Sequence, residues 1–288
     1  ELSSVKVDRG EFMKYACLSD IHGNIEAFNA CVKDAFQKGI DGFIFLGDYV
    51  TDFPFENEVL DKIQEIEANY PCYIIKGNRE DNIIYQSQHH EYKIGSNEEV
   101  MLLTYYHMTQ KNVDYITSLP DVLTVDIGKF KVSMSHRMEK AEEADIVMSG
   151  HTHLQSSIYD EGVLYINPGS VGENGDGRVG ATYSIVTFGD KVEVEENIVE
   201  YDVSKVVDQL RSSYMSDLRD HWDKIMEQTL LTGDCYNLPY IKNMVTLAEK
   251  YGYNTDLDEI PKHIWDECYE ITIKQLQDIR KKRNETNE

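Results

Sequence analysis

The sequence has no apolar run approaching the ~18 residues that cross a bilayer, so no membrane-spanning helix is expected. It shows no positively charged segment followed by an apolar stretch near its start, and so no secretory leader. Basic side chains are scarce, 28 against 52 acidic ones, for a formal charge of −24. That field disfavours duplex nucleic acid and anionic membrane surfaces as partners. It also repels a phosphate within the screening length of about 8 Å, unless a bound cation inverts the local sign. The five cysteines, Cys17, Cys31, Cys72, Cys235 and Cys268, are scattered and form no CxxC pair. Reduced thiols in a cytoplasmic protein are the expectation, with Cys17 and Cys72 as small core residues. No Gly-x-Ser-x-Gly elbow occurs, which argues against a Ser/His/Asp hydrolase, and the nearest serine, Ser170, follows a turn rather than a strand. No internal repeat or low-complexity linker divides the chain.

What is present is enough for a large core: 288 residues, 41% hydrophobic and 10% aromatic. Residues 1–12 are set aside as an N-terminal extension or a cloning remnant, with Met13 as a plausible native start. Residues 13–200 are expected to form the main domain and 201–288 a helical C-terminal extension. Tyr15–Leu18, Phe43–Leu46 and Tyr73–Ile75 read as short buried strands. Between them, Ile25, Phe28, Cys31, Val32, Ala35 and Phe36 recur at helical spacing, with Gly39 placed to end the helix. Glu56–Asn69 reads as a second helix, with Val59, Leu60, Ile63 and Ile66 inward. This β-α-β-α-β order implies parallel pairing with right-handed crossovers. Residues 81–118 read as helical with a polar interruption from Gln86 to Asn97. Short strands are expected over 122–127, 131–135, 146–149, 157–159, 163–166 and 182–188. Two packed sheets flanked by helices follow, a four-layer α/β/β/α sandwich in the α/β class.

The strand ends carry the chemistry. Asp20 and His22 lie in Ser-Asp-Ile-His-Gly-Asn, Asp48 in Gly-Asp, and Asn78 in Gly-Asn-Arg-Glu. His136 follows the strand ending at Ser135, and His151 and His153 lie in Gly-His-Thr-His. In open α/β sheets, ligands bind outside the carboxyl ends of the strands. These oxygen and imidazole donors suit two divalent ions such as Mn, Fe or Zn. A lone Asp or His at a strand end is more often a cap or a structural residue. Seven such residues in five ordered blocks point to metal.

At these blocks the chain resembles the calcineurin-like metallophosphoesterase superfamily, and within it the compact bacterial and archaeal phosphodiesterase-type branch. The resemblance covers roughly residues 14–190, including Asn167-Pro168-Gly169-Ser170. It implies that Asp20, His22 and His153 hold one ion, that Asn78, His136 and His151 hold the other, and that Asp48 bridges them. With a bridging hydroxide such a site carries roughly +1, suited to a phosphoryl anion. The implied activity is hydrolysis of phosphodiester or phosphomonoester bonds by that hydroxide, with Asp48, Asn78, Arg79 and His136 in the catalytic set. The implied substrate is a small, nucleotide-like phosphate ester. One departure stands out. Many members have His after Gly-Asn, whereas this chain has Arg79, which cannot serve as a general acid near neutral pH. Arg79 is then either a substrate contact or an ion-pair partner of Glu80 or Asp81.

The remaining candidates are weaker. Asn24 is expected to cap the first helix. The glycine-rich segment 172–180 is either a surface loop or a lid offering Arg178 to phosphate. His89, His90 and His107 are read as surface or core residues. In the extension, three faces are expected inward: Val203, Val206, Val207, Leu210 and Tyr214, then Trp222, Ile225, Met226 and Leu230, then Ile241, Met244, Val245, Ala248 and Tyr251. Ile271, Leu276 and Ile279 mark a final helix before the charged tail from Arg280. These helices are an appendage on the core, a cap over the site, or the interface of a homo-oligomer.

Overall fold

The computed structural model describes residues 12–89, 97–138, 143–216, 218, 220–253 and 260–287. Residues 1–11, most of the segment set aside as an extension, lie outside the described residues, as does His90. The first sheet has the order β10-β9-β1-β2-β3. Its strands are β1 (Met13–Leu18), β2 (Gly42–Phe45), β3 (Cys72–Ile74), β9 (Ala181–Phe188) and β10 (Val192–Val199). Strands β1, β2 and β3 are parallel, joined by helices α1 (Ile25–Gln37) and α2 (Glu56–Asn69). The second sheet has the order β4-β5-β6-β8-β7. It contains β4 (Val122–Ile127), β5 (Phe130–Ser135), β6 (Ile146–Met148), β7 (Ser156–Asp160) and β8 (Val163–Asn167), with β5, β6 and β8 parallel.

The two-residue period of β1 explains the layering. Ala16 and Leu18 face the helices, packing with Phe28, Val32, Leu60 and Ile63. Tyr15 and Cys17 face the other way and join Ile44, Val132, Met134 and Met148 in the core between the sheets. Asn24 caps α1 by accepting from the Ala27 N–H at 3.1 Å, and Gly39 (φ +69°) follows the helix end, as the sequence implied.

Helices α3 (Asn78–His89), α4 (Asn97–His107) and α5 (Gln110–Ser118) precede the second sheet. The extension folds as α6 (Val203–Arg211), α7 (Trp222–Thr232), α8 (Asn237–Tyr251) and α9 (Lys262–Asn287). It has its own apolar cluster around Trp222, Tyr240, Met244 and Trp265, which also takes in Phe53 from the loop after β2.

Three expectations differ in detail. Strand β10 is not among those the pattern picks out, because Glu193, Glu195 and Glu196 lower its hydropathy. Its Val-Glu-Val-Glu alternation is that of an edge strand paired on one side with β9. The inward face of α8 is turned: Tyr240, Met244, Leu247 and Ala248 are buried, whereas Ile241 and Tyr251 are exposed. Tyr240 is wedged between Trp222 and Trp265, with ring centroids 6.5 and 6.1 Å away, and this packing decides the face. Ile279 of α9 and Phe36 of α1 are also exposed. Phe36 stacks at the rim on Phe43 and Tyr70.

Candidate metal centre

The loops that follow β1, β2, β5 and β6 meet at one point. The Asp20 N–H donates to the Gly47 carbonyl at 3.0 Å, and the Ile21 N–H to the Asp48 carbonyl at 2.8 Å, locking the first two loops together. The His151 N–H donates to Asp20 Oδ2 at 3.0 Å and fixes the fourth. Glu80 holds the second loop, accepting from the backbone N–H groups of Asp48, Tyr49 and Gly77 at 2.7–2.8 Å. Asn167 ties the Gly-His-Thr-His segment down by donating to the Gly150 carbonyl at 2.7 Å. Asp20, His22, Asp48, His151 and His153 all adopt positive φ between 52° and 70°. Each such residue costs on the order of 1–3 kcal/mol, and this strain clusters where function is over-determined by its surroundings.

The donors fall into two groups. Asp20, His22 and His153 bring one ligand atom each within 4.8 Å of one another, and so do Asp48, His136 and His151. His136 Nδ1 donates to the Leu46 carbonyl at 2.7 Å, and His153 Nδ1 to the Glu173 carbonyl at 3.0 Å. His22 Nδ1 lies 2.8 Å from Asp52 Oδ2. The two carbonyl contacts place the proton of His136 and of His153 on Nδ1 and leave their Nε2 atoms as lone pairs. The Nε2 atoms of His22 and His153 then face each other at 3.3 Å. His136 Nε2 is buried without a hydrogen-bond partner, 3.2 Å from Asp48 Oδ2. Asn78 Oδ1 is also buried without a partner. Lone pairs facing lone pairs and carboxylates are repulsive unless a cation lies among them. The donor set therefore fits divalent metal.

Protons are the alternative cation. Burial alone would lower the pKa of His136, but Asp48 and Asp20 outweigh it and push the value up to about 9. Burial would likewise raise Asp20, but His153 and His136 hold it well below the usual carboxylate range. A divalent ion would displace those protons.

Two site residues, Asp52 and Glu173, lie outside the five ligand blocks, and a third, Glu80, lies within Gly-Asn-Arg-Glu without being one of the expected site residues. Asp52 is buried beside His22 and also accepts from the Trp222 indole N–H at 2.7 Å. Glu173 is buried, and with His22 and Asp52 it forms a third group whose ligand atoms converge. Glu80 is the clamp described above. An acid four residues beyond Asp48 is a faint signal, because only the turn at Thr51 and Asp52, both at positive φ, swings it back towards His22.

Arg79 pairs with neither Glu80 nor Asp81. Its Nη2 lies 3.1 Å from Asp52 Oδ2, while its backbone N–H donates to Asp48 Oδ1 at 2.8 Å. Asp81 pairs with Lys76 instead. Arg178 is not drawn to the ligand set, because its guanidinium is engaged by Asp176 and by Gln155. The glycine-rich segment is not a free surface loop either. Gly172, Glu173 and Asn174 are buried, and a Cβ on Gly172 would sit 2.1 Å from the Ile21 carbonyl. Ser170 is buried and donates to the Asp20 carbonyl at 2.9 Å, a structural role. His89 stacks on Tyr85 and His107 on Tyr214, both away from the ligands.

The domain model of the calcineurin-like phosphoesterase superfamily matches residues 13–191. The chain belongs to this superfamily. An uncharacterized protein of Methanocaldococcus jannaschii is 29% identical over 228 residues, covering 68% of this chain and 90% of that one. A metallophosphoesterase from Sphaerobacter thermophilus shares the fold with a TM-score of 0.62 at 20% identity, over 77% of this chain and 99% of that one. A hypothetical protein from Pyrococcus horikoshii does so with a TM-score of 0.64 at 17% identity, over 77% and 98%. No described helix is long and apolar enough to cross a membrane.

Proposed function

We propose that the chain is a phosphoesterase that binds two divalent ions and cleaves phosphodiesters in preference to monoesters. The observation that carries this is the pair of ligand groups, with His136 and His153 pinned through Nδ1 to backbone carbonyls and their Nε2 atoms turned inward. Asp20, His22 and His153 would hold one ion, Asn78, His136 and His151 the other, and Asp48 would lie between them. When bound, such ions lower the pKa of water towards about 7 and offset charge on the phosphoryl oxygens. The protein's own contribution is to fix these donors. Glu80 sets Asp48, the Leu46 and Glu173 carbonyls orient His136 and His153, and Asp52 orients His22.

One feature favours a diester. Arg79 occupies the position where many relatives carry a proton-donating His, and its guanidinium is held by Asp52. A leaving group that needs little protonation suits this arrangement.

The test is hydrolysis of bis-p-nitrophenyl phosphate and p-nitrophenyl phosphate by metal-stripped protein titrated with Mn. Diester turnover that appears only with Mn and exceeds the monoester rate is the expected result. A faster monoester reaction would make the protein a phosphatase, and turnover without metal would remove the metal centre from the mechanism.

A further inference from the structure

A cavity of about 320 Å³ lies beside the ligand set, lined by Asn78 and His136 together with Lys76, Asn82, Val122 and Arg137. Among the described residues it has no Phe, Tyr or Trp, and Val122 is its one aliphatic side chain. Recognition of a nucleobase relies on stacking against such rings. This wall instead offers amides, carboxylates and cations, which suit hydroxyls and phosphates.

The cations around the centre are not equivalent. Lys76 is neutralised twice, by Asp81 and by Asp121 at 2.8 Å. Arg79 is held by Asp52 and Arg178 by Asp176. Arg137 is exposed and has neither an ion pair nor a hydrogen bond among the described residues. Its position directly after His136 keeps it at the rim of the centre. In a chain of formal charge −24, an arginine left unpaired in a polar groove is a docking point for an anion.

We propose that this cavity is a subsite for a second phosphate on the substrate, carried on a sugar or polyol, and that Arg137 receives it. The inference rests on the phosphodiesterase reading above and deepens it. The scissile phosphoryl belongs at the carboxylate and imidazole cluster. The second phosphate lies in the cavity, where the planar guanidinium can bind it through two N–H groups. Asn82, exposed and without a hydrogen bond among the described residues, can bond the sugar hydroxyls.

The experiment uses the Mn-loaded full chain and two chromogenic diesters, thymidine 5′-(p-nitrophenyl phosphate) and the same ester with a 3′-phosphate. The wild type is expected to favour the 3′-phosphorylated ester in kcat/KM by about tenfold, mainly through KM. Arg137→Ala should bring that ratio to about one, and Arg137→Lys should keep part of it, since Lys retains charge without the fork. Any loss of folding or metal common to both esters cancels in the ratio. A wild-type ratio near one, with bis-p-nitrophenyl phosphate still turned over, would overturn the subsite alone, and so would a preference that persists in Arg137→Ala. Failure of the Mn-loaded wild type on all three diesters would sink the phosphodiesterase reading and the subsite with it.

Discussion

Trp222 and Asp52 are joined by a buried hydrogen bond of 2.7 Å across 170 residues of chain, from the indole N–H of α7 to Oδ1 in the loop after β2. The other oxygen of Asp52 lies 2.8 Å from His22 Nδ1 and 3.1 Å from Arg79 Nη2. The C-terminal helices therefore reach the candidate centre, through Trp222 on Asp52 and through Asn237 on Glu173, and do more than shield the core.

Trp222→Phe keeps most of the ring and removes the N–H. Direct partners of a ligating His typically contribute about 10–100-fold to metal affinity, and Trp222, one contact further out through Asp52, is expected at the low end of that range. Mn binding followed by isothermal titration calorimetry should weaken by that order. Unchanged affinity in a folded variant would show that Asp52 orients His22 without help from α7.

Asp48→Asn removes one of the two carboxylates, Asp20 and Asp48, within the two ligand groups. Loss of a ligand charge at a metal centre is worth several kcal/mol, so diester turnover should fall on the order of a hundredfold or more. Mn content, read by atomic emission, should fall with it. Full metal occupancy and full turnover together would contradict the proposed centre.

Metal should stabilise the fold. A ligand at a hundred times its Kd adds about 2.7 kcal/mol. Mn added to chelator-stripped protein should raise the melting temperature, and the rise should be smaller in Asp48→Asn. A melting temperature indifferent to Mn and to chelator would count against metal in the folded state.

Glu56 supplies a pH test away from the ligands. It is buried at the start of α2, accepts from the Tyr214 hydroxyl at 3.0 Å, and burial pushes its pKa up to about 7. The folded state therefore binds more protons than the unfolded state between about 4.5 and about 7, and stability falls as pH rises through that window. Glu56→Gln keeps an acceptor for Tyr214 and removes the charge. Its stability relative to wild type should improve between pH 5 and pH 8, by up to about 3 kcal/mol. Denaturant unfolding at the two pH values reads this directly, and an equal difference at both would refute it.

Close approach of backbone to ligand makes Gly150 a second test. A Cβ there would lie 1.9 Å from Ser19 Oγ and 2.6 Å from Asp20 Oδ2. Overpacking of this kind costs about 1–3 kcal/mol. Gly150→Ala should lower the melting temperature and weaken Mn binding together, because Asp20 must move. A drop in stability with intact Mn affinity would separate the packing from the centre.

The candidate donors were legible because they recur at strand ends in a fixed order, and strands are short apolar runs that local sequence marks well. Asp20, Asp48 and His136 follow β1, β2 and β5 within a few residues. Helix α2 was legible to the residue from its apolar period. Strand β10 was not, because an edge strand needs few apolar residues and its acidic face masks the alternation. The buried face of α8 was not, because Tyr240, Leu247 and their neighbours compete for one interface and the partner helices choose between them.

By itself the sequence determined the α/β alternation, the parallel pairing of β1, β2 and β3 and the candidate donor set, since each depends on local periodicity and short spacing. Only the tertiary structure decided which side chains support those donors. Asp52 supports His22, Glu173 supports His153, and Trp222 holds Asp52 from a third segment, and no local pattern encodes a contact across 170 residues. The same holds for the cations. Arg79, Lys76 and Arg178 look alike in sequence, yet folding neutralises each against a particular carboxylate and leaves Arg137 open among the described residues. Charge is a local property of a residue, but its compensation is set by what the fold brings within about 4 Å.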